Sequence, residues 1–257
     1  MPRDVEFSLA GKTTLVTGAS RGIGEAIARA FAQRGASVVL VSRKQDALDE
    51  VAAAINEEVG EERAIPIACH TGKAEAVAAL FEQVRSRLGG LDVLVNNAAA
   101  NPYFGPAIDI DDSAFDFTVE VNVKGYFRMS QHAARSMLEQ GAGSIINVAS
   151  VAGISPGEGM VVYSMTKAAV ISLTQGLAKE LGPRGIRVNA IAPGLVETKF
   201  ASALIDNSKI HESWMRATPL RRHAQPEEIA GAAVYLASPA ASFTTGSVLV
   251  CDGGATV

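Results

Sequence analysis

A short β-branched run, KTTLV at 12–16, passes into TGASRGIG at 17–24 and then into EAIARAFAQRG at 25–35. The last segment repeats its apolar positions with helical spacing and ends on glycine, so the three read strand, glycine turn, helix. That order is what a dinucleotide pyrophosphate site requires. Gly18 permits a tight turn out of the strand, Gly22 lets backbone approach a pyrophosphate, and Gly24 lets helix pack on sheet. The helix N-terminus then offers free N–H groups and a positive dipole end to the phosphates. The spacing is G-x-x-x-G-x-G, not the commoner G-x-G-x-x-G, and an unliganded glycine turn is the plainer alternative.

A second feature supplies chemistry. Tyr163 and Lys167 stand four residues apart in YSMTK, with Ser150 thirteen residues upstream of the tyrosine. Residues four apart share a helix face, so an ammonium sits beside a phenol. A nearby positive charge favours the phenolate and lowers the tyrosine pKa. Bringing a phenol from ~10 to ~7 needs roughly 4 kcal/mol of differential stabilisation, which a desolvated site with a fixed ammonium can supply. The expected result is an acid/base group poised at neutral pH. Taken alone, YxxxK also describes a chance pairing on a surface helix.

Strand-like and helix-like segments alternate along the 257 residues, of which 48% are hydrophobic and 19% charged. This predicts an α/β fold with a large core, a parallel sheet and helices on both faces. Strands are expected near 12–17, 37–42, 64–69, 91–95, 143–149, 186–191 and 247–251, with one long helix beginning near Ser113. No linker, composition shift, repeat or low-complexity tract marks a boundary, so 1–257 reads as one domain. The net charge of −4 argues against a nucleic-acid partner, which favours a concentrated basic face. No apolar run approaches the ~20 residues of a membrane span. The charged leader before Thr17 leaves no room for a secretory signal, and the final ATV is not a peroxisomal tripeptide, so a cytoplasmic location is expected.

Further motifs follow in one order: NNAA at 96–99 after LDVLV, Asn122 in VNVKG, Ser150 in INVAS, then Tyr163 and Lys167. IRVNAIAPG at 186–194, Thr198, PEEIA at 226–230 and a closing CDGG complete the set. Together with TGASRGIG they resemble the short-chain dehydrogenase/reductase family nearly end to end. Two positions depart from its pattern: Ala99 stands where glycine is usual, slightly crowding the turn beside the cofactor, and Ala224 where glycine is common. The resemblance implies a single-domain, Rossmann-type, doubly wound sheet of seven parallel strands in the order 3-2-1-4-5-6-7. It implies a dinucleotide-binding half over roughly 10–150, a catalytic and substrate-binding half over roughly 150–257, and a lid at 199–222.

What the resemblance implies for the reaction is hydride transfer between a nicotinamide cofactor and a ketone, aldehyde or secondary alcohol, with no metal required. In that scheme Tyr163 donates a proton to the carbonyl oxygen in reduction or accepts one in oxidation. Lys167 lowers its pKa and holds the nicotinamide ribose hydroxyls, and Ser150 hydrogen-bonds the same substrate oxygen. Asn122 holds a water linking Lys167 to solvent. Cofactor contacts are implied at Gly18, Ser20, Arg21, Gly22, Ile23 and Gly24, and at Asn97, Ala98 and Ala99 on the adenosine ribose side. Pro193, Gly194, Val196 and Thr198 wrap the nicotinamide and its phosphate. The plainer readings are a strand-end cap for Ser150 and a helix kink for Asn122. A non-catalytic relative would be expected to lose Ser150, Tyr163 or Lys167, and a sugar-nucleotide epimerase to carry a longer substrate domain after CDGG.

VSRKQ at 41–45, CHTGKAE at 69–75 and NAAANPYFG at 97–105 look like the NADP-dependent carbonyl and retinal reductases of the peroxisomal type. An NAD enzyme usually ends its second strand with an acid for the ribose hydroxyls, whereas here stand Ser42, Arg43 and Lys44. A hydroxyl and a guanidinium bind a 2′-phosphate that a carboxylate would repel, and Arg21 points the same way. NADP(H) is therefore the expected cofactor. NAD(H) remains possible, with Asp46 near enough to serve it if the cations only decorate a loop. His70 is either an adenine contact or a plain loop residue.

The substrate is expected beside Ser150, Tyr163, Tyr103, Phe104, Met160 and Leu195, under a lid carrying Phe200, Leu204, Ile205, Trp214 and Met215. That composition favours a hydrophobic or aromatic carbonyl, unless these groups simply pack an amphipathic lid helix. A 3-oxoacyl thioester reductase and an NAD-dependent secondary-alcohol dehydrogenase are the alternatives. Asp109, Asp111, Asp112 and Asp116 lack regular metal-ligand spacing and read as helix-start caps. Cys69 and Cys251 would close opposite edge strands in the implied order, which leaves them unpaired and read as small hydrophobes. The family commonly pairs its two long helices, here near 113–139 and 160–181, about one two-fold axis and its last helix and strand about another. Alanine-rich IAGAAVYLA at 229–237 suits close approach there, so a homotetramer is expected. Light scattering at micromolar concentration checks this, and a monomer mass would refute it.

Overall fold

The near-continuous apolar runs form strands, of which the five inner ones are buried on both faces. In the computed structural model, which describes residues 6–257 (the backbone alone at Ala203), the strands are β1 Thr13–Thr17, β2 Ser37–Ser42, β3 Ala64–Ala68 and β4 Val93–Asn96. They continue as β5 Gly143–Val148, β6 Ile186–Pro193 and β7 Val248–Cys251. All pair in parallel in one sheet, in the order β3-β2-β1-β4-β5-β6-β7. The first residues of the charged leader lie outside the described residues.

The helices are α1 Gly22–Ala32, α2 Gln45–Val59, α3 Ala74–Leu88, α4 Asp112–Val119, α5 Tyr126–Gln140 and α6 Val161–Leu181. Beyond them come α7 Ser202–Ile205, α8 Ser208–Ala217 and α9 Pro226–Ala237. The long helix expected from near Ser113 is α4 and α5 joined through a π-helical stretch, Glu120–Gly125. Its start is capped as the acidic residues suggest: the Asp111 carboxylate accepts the Ala114 N–H at 2.8 Å. Among the described residues no three His, Cys, Asp or Glu side chains converge as a metal site would need.

Alternate residues of each strand face opposite layers, and both layers are apolar. Val16, Leu40, Val95 and Ile146 face α1, α2 and α9, whose Ile27, Phe31, Ile55 and Val234 are buried there. Leu15, Val41, Leu94 and Ile145 face α3 and α5, which contribute Leu80, Met129 and Met137. Burying each such side chain contributes about 1.5–3 kcal/mol against the chain entropy of folding. One polar ladder crosses this interior. Asn96 Nδ2 donates to Asn147 Oδ1 at 2.9 Å and to Ser130 Oγ at 3.0 Å, and Asn147 Nδ2 donates to Thr174 Oγ1 at 2.9 Å. The two cysteines are free: Cys69 follows β3 and Cys251 ends β7, the outermost strands.

The glycine turn sets how α1 meets the sheet. Gly18 has φ +68°, a left-handed conformation that residues with a β-carbon seldom adopt. A β-carbon on Gly24 would lie 2.4 Å from the Gly18 carbonyl oxygen and 2.5 Å from Asn97 Nδ2. Gly24→Ala is therefore expected to destabilise the fold by about 1–3 kcal/mol through backbone displacement. Urea unfolding measures this; a midpoint equal to the parent's would contradict the packing described.

Candidate active site

The carboxyl ends of β1, β4, β5 and β6 open onto a cavity of about 600 Å³, at the point where strand order reverses. The glycine turn, Ser42, Arg43 and His70 form one end of it. Ser150, Tyr163 and Lys167 lie along its wall, with Phe104, Met160 and the lid residues Phe200, Leu204 and Trp214 around them.

The glycine-turn end is built by hydrogen bonds between the ends of β1 and β4. Thr17 Oγ1 accepts the N–H groups of Asn97 and Ala98 at 2.8 and 3.0 Å and donates to the Val95 carbonyl at 3.3 Å. Asn97 Nδ2 donates back to the Thr17 carbonyl at 2.9 Å, so this side chain secures the turn. Sequence reasoning passed over Thr17, although a hydroxyl at the strand end was its available signal. Gly22, at φ +59°, packs against Thr198, whose Cγ2 a β-carbon there would meet at 3.1 Å. With Gly18, Arg21, Gly22 and Ile23 on the wall at the N-terminus of α1, these residues fit a dinucleotide pyrophosphate. His70 lines the same end and also forms its own loop, since its Nδ1 accepts the Gly72 N–H at 3.1 Å.

Ser150 ends the β5 loop, and its hydroxyl accepts the Ala152 N–H at 3.1 Å, which is the cap reading. The same hydroxyl faces that of Tyr163 and pulls the tyrosine pKa down. Burial outweighs that pull and pushes Tyr163 up to about 12. Lys167, 1% exposed, is drawn down to about 7 by burial. The net shift of Tyr163 is thus upward where a lowered pKa was expected, because burial outweighs whatever favours the phenolate. Nζ stands 5.7 Å from the Tyr163 ring centre and is directed elsewhere, to the Val148 carbonyl at 2.7 Å and the Tyr126 hydroxyl at 3.2 Å. Sharing a helix face brings the two groups together, but desolvation of both decides their protonation.

Asn122 lies in the π-helical stretch, as the kink reading has it. Its Oδ1 accepts the Ala100 N–H at 2.8 Å, while Nδ2 donates to the Ala100 carbonyl at 2.9 Å and to Thr166 Oγ1 at 3.1 Å. The side chain thereby holds the Ala100 backbone and Thr166. Four expected site residues, Gly24, Lys44, Tyr103 and Asn122, lie outside the cavity wall. Gly24 is a packing residue and Lys44 precedes α2 on the surface. Tyr103 folds back to donate to the Pro106 carbonyl at 2.9 Å. Ile205 and Met215 of the lid are also absent from the wall. All the other expected residues line it.

The lid is tied to the body by side chains. Asn207 caps α8 through the Ile210 N–H at 3.2 Å, and the Arg221 guanidinium donates to the Met215 and Arg216 carbonyls at the far end of that helix. His211 Nε2 meets His223 Nδ1 at 3.2 Å, and His223 Nε2 meets the Glu197 carboxylate at 3.0 Å.

A family model described as enoyl-(acyl carrier protein) reductase matches residues 18–256. The human protein named dehydrogenase/reductase SDR family member 4 is 41% identical over 247 residues, covering 96% of this chain and 88% of that one. A gluconate 5-dehydrogenase from Burkholderia cenocepacia, solved with NADP and tartrate, superposes with a TM-score of 0.94 at 34% identity, covering 98% of each chain. A 7α-hydroxysteroid dehydrogenase solved with NADH and 7-oxo-glycochenodeoxycholic acid superposes with a TM-score of 0.93 at 37% identity, covering 99% of this chain and 98% of that one.

Lys167 also makes stability depend on pH. Its folded pKa, about 7, lies below its unfolded value, so between the two the unfolded chain binds more protons and stability rises with pH. The penalty is full below pH 7 and gone above the unfolded lysine pKa. Urea unfolding at pH 6.5, 8 and 9.5 should show the parent gaining stability relative to Lys167→Met across that window, by at most about 5 kcal/mol. Parallel curves for the two proteins would contradict the buried, unpaired lysine.

Proposed function

The chain belongs to the short-chain dehydrogenase/reductase family and is an oxidoreductase of alcohol and carbonyl groups, and from that premise we propose that it reduces hydrophobic or aromatic ketones and aldehydes with NADP(H). The observation that carries this reading is Ser150, Tyr163 and Lys167 on one wall of a cavity whose far end is the glycine turn. A nicotinamide bound there supplies the hydride exchanged with the carbonyl carbon. Tyr163, kept neutral by burial, holds the proton that the substrate oxygen takes up in reduction. Ser150 donates to the same oxygen as charge develops. Lys167, titrating near neutrality, in its charged form favours the phenolate that Tyr163 becomes. Asn122 fixes the backbone of Ala100 through both its N–H and its carbonyl.

Preference for NADP(H) is supported by Arg21, Ser42 and Arg43 in the cavity wall, while Asp46 sits in the first turn of α2 outside it. The solved relatives carry NADP in one case and NADH in the other, so these cations are the discriminating feature. Phe104, Met160, Leu195, Phe200, Leu204 and Trp214 support an apolar substrate. Lys199 in the same wall favours a second reading, a hydroxy acid, and turnover of a panel of aromatic ketones and sugar acids separates the two. A cytoplasmic homotetramer belongs to the same proposal. It is supported by Phe115, Phe127, Val161 and Met165, all more than a third exposed on α4, α5 and α6.

Tyr163→Phe is expected to lower kcat by about 10²–10⁴-fold with cofactor affinity nearly unchanged, since only the proton donor is lost. Activity within about threefold of the parent removes Tyr163 from the mechanism. Arg43→Ala should cost on the order of tenfold or more in NADPH affinity. Values of kcat/KM with both cofactors test this, and a parent that favours NADH, or a variant with unchanged NADPH efficiency, defeats the assignment.

A further inference from the structure

Lys167 enters the interior without a carboxylate: its Nζ forms no ion pair among the described residues, and its two acceptors are the Val148 carbonyl and the Tyr126 hydroxyl. Tyr126 is 2% exposed and begins α5, directly after the π-helical stretch. Its own proton has one destination, because its hydroxyl donates to the Val148 carbonyl at 3.0 Å and a carbonyl can only accept. The phenolic lone pairs are thereby left facing Nζ at 3.2 Å. Nζ is 5.0 Å from the Tyr126 ring centre, so it sits at the hydroxyl end of the ring and the oxygen, more than the π face, carries the contact.

We propose that Tyr126 is a positioning residue for Lys167, its hydroxyl serving as a fixed acceptor that orients Nζ at the cavity wall and favours the ammonium form. This rests on the reading of Lys167 as part of the active site. The titratable groups facing Nζ are Tyr126 from α5 and Tyr163 from its own helix. β5 presents only the Val148 carbonyl, and the π-helical stretch presents Asn122, bonded to Thr166 rather than to Nζ. Burial holds Tyr126 far above the ordinary phenol range, so it remains a neutral phenol and its donor and acceptor directions do not change across the working pH range. An ammonium has three donors to satisfy, and burial already draws Lys167 down to about 7. Removing one of its two acceptors lowers it further and empties the charged form at neutral pH.

Tyr126→Phe keeps the ring and its packing, and the bond between Lys167 Nζ and the Val148 carbonyl leaves each of those two groups with one partner. The test is the pH profile of kcat/KM for NADPH-dependent ketone reduction in the parent, Tyr126→Phe, Lys167→Met and the double variant, with thermal melts to establish folding. The expected result is an alkaline limb moved down by about one pH unit in Tyr126→Phe, with kcat at neutral pH reduced about fivefold. Tyr126→Phe should have no further effect in the Lys167→Met background. A profile in Tyr126→Phe that superposes on the parent's, while Lys167→Met is inactive, overturns this proposal and leaves the active-site reading standing. Parental activity in Lys167→Met overturns both.

Discussion

The arrangement of the site depends on how closely α1 approaches the end of β1. Two positions without a β-carbon, Gly18 and Gly24, let helix and turn come within a distance no side chain would allow. Asn97 closes over the same contact, joining the end of β4 to the carbonyls of Thr17 and Gly18. From there the chain of causes runs on. The loop after β4 reaches Ala100, whose peptide is held at both ends by Asn122, and Asn122 in turn bonds Thr166, one residue before Lys167. The glycine turn and the helix that carries the phenol are in this way parts of one hydrogen-bonded frame.

Within that frame the electrostatics are set by desolvation more than by pairing. Tyr163 is pushed up and Lys167 down by the same cause, because each is easier to bury neutral. The tyrosine therefore keeps its proton, while the lysine sits where small changes in its surroundings alter its charge. Hydroxyl and carbonyl dipoles at the wall, rather than an opposing carboxylate, supply those surroundings. An arrangement without a fixed anion leaves room for both charge states.

Much of this was legible in the chain itself. All seven strands stand within two residues of their expected limits, because the five inner strands, buried on both faces, and the edge strands, still rich in apolar residues, read as apolar runs. The glycine turn and the Tyr163–Lys167 pair were legible since local spacing decides which groups share a turn or a face. Tyr126 was not, because its role comes from a carbonyl on β5 and an ammonium on α6, both distant in sequence. Lys44 and Tyr103 lie outside the cavity wall although their neighbours line it, Lys44 standing just before α2 and Tyr103 donating to the Pro106 carbonyl. The direction of the Tyr163 shift was misjudged because spacing reveals a neighbouring charge but says nothing about how deeply both groups are buried.

The polar ladder of Asn96, Asn147, Ser130 and Thr174 runs through a largely apolar interior, and it lies on the elements from which Ser150, Tyr163 and Lys167 extend. Apolar side chains tolerate a sliding neighbour, whereas an amide does not. A shift of β5 by one residue against β4, or of α6 by part of a turn, would leave a buried amide or hydroxyl without its partner, at about 1–3 kcal/mol for each orphaned group. The ladder thus acts as an alignment key. It penalises every near-miss packing of these strands and helices, and the serine, tyrosine and lysine inherit their mutual spacing from the one registry it permits.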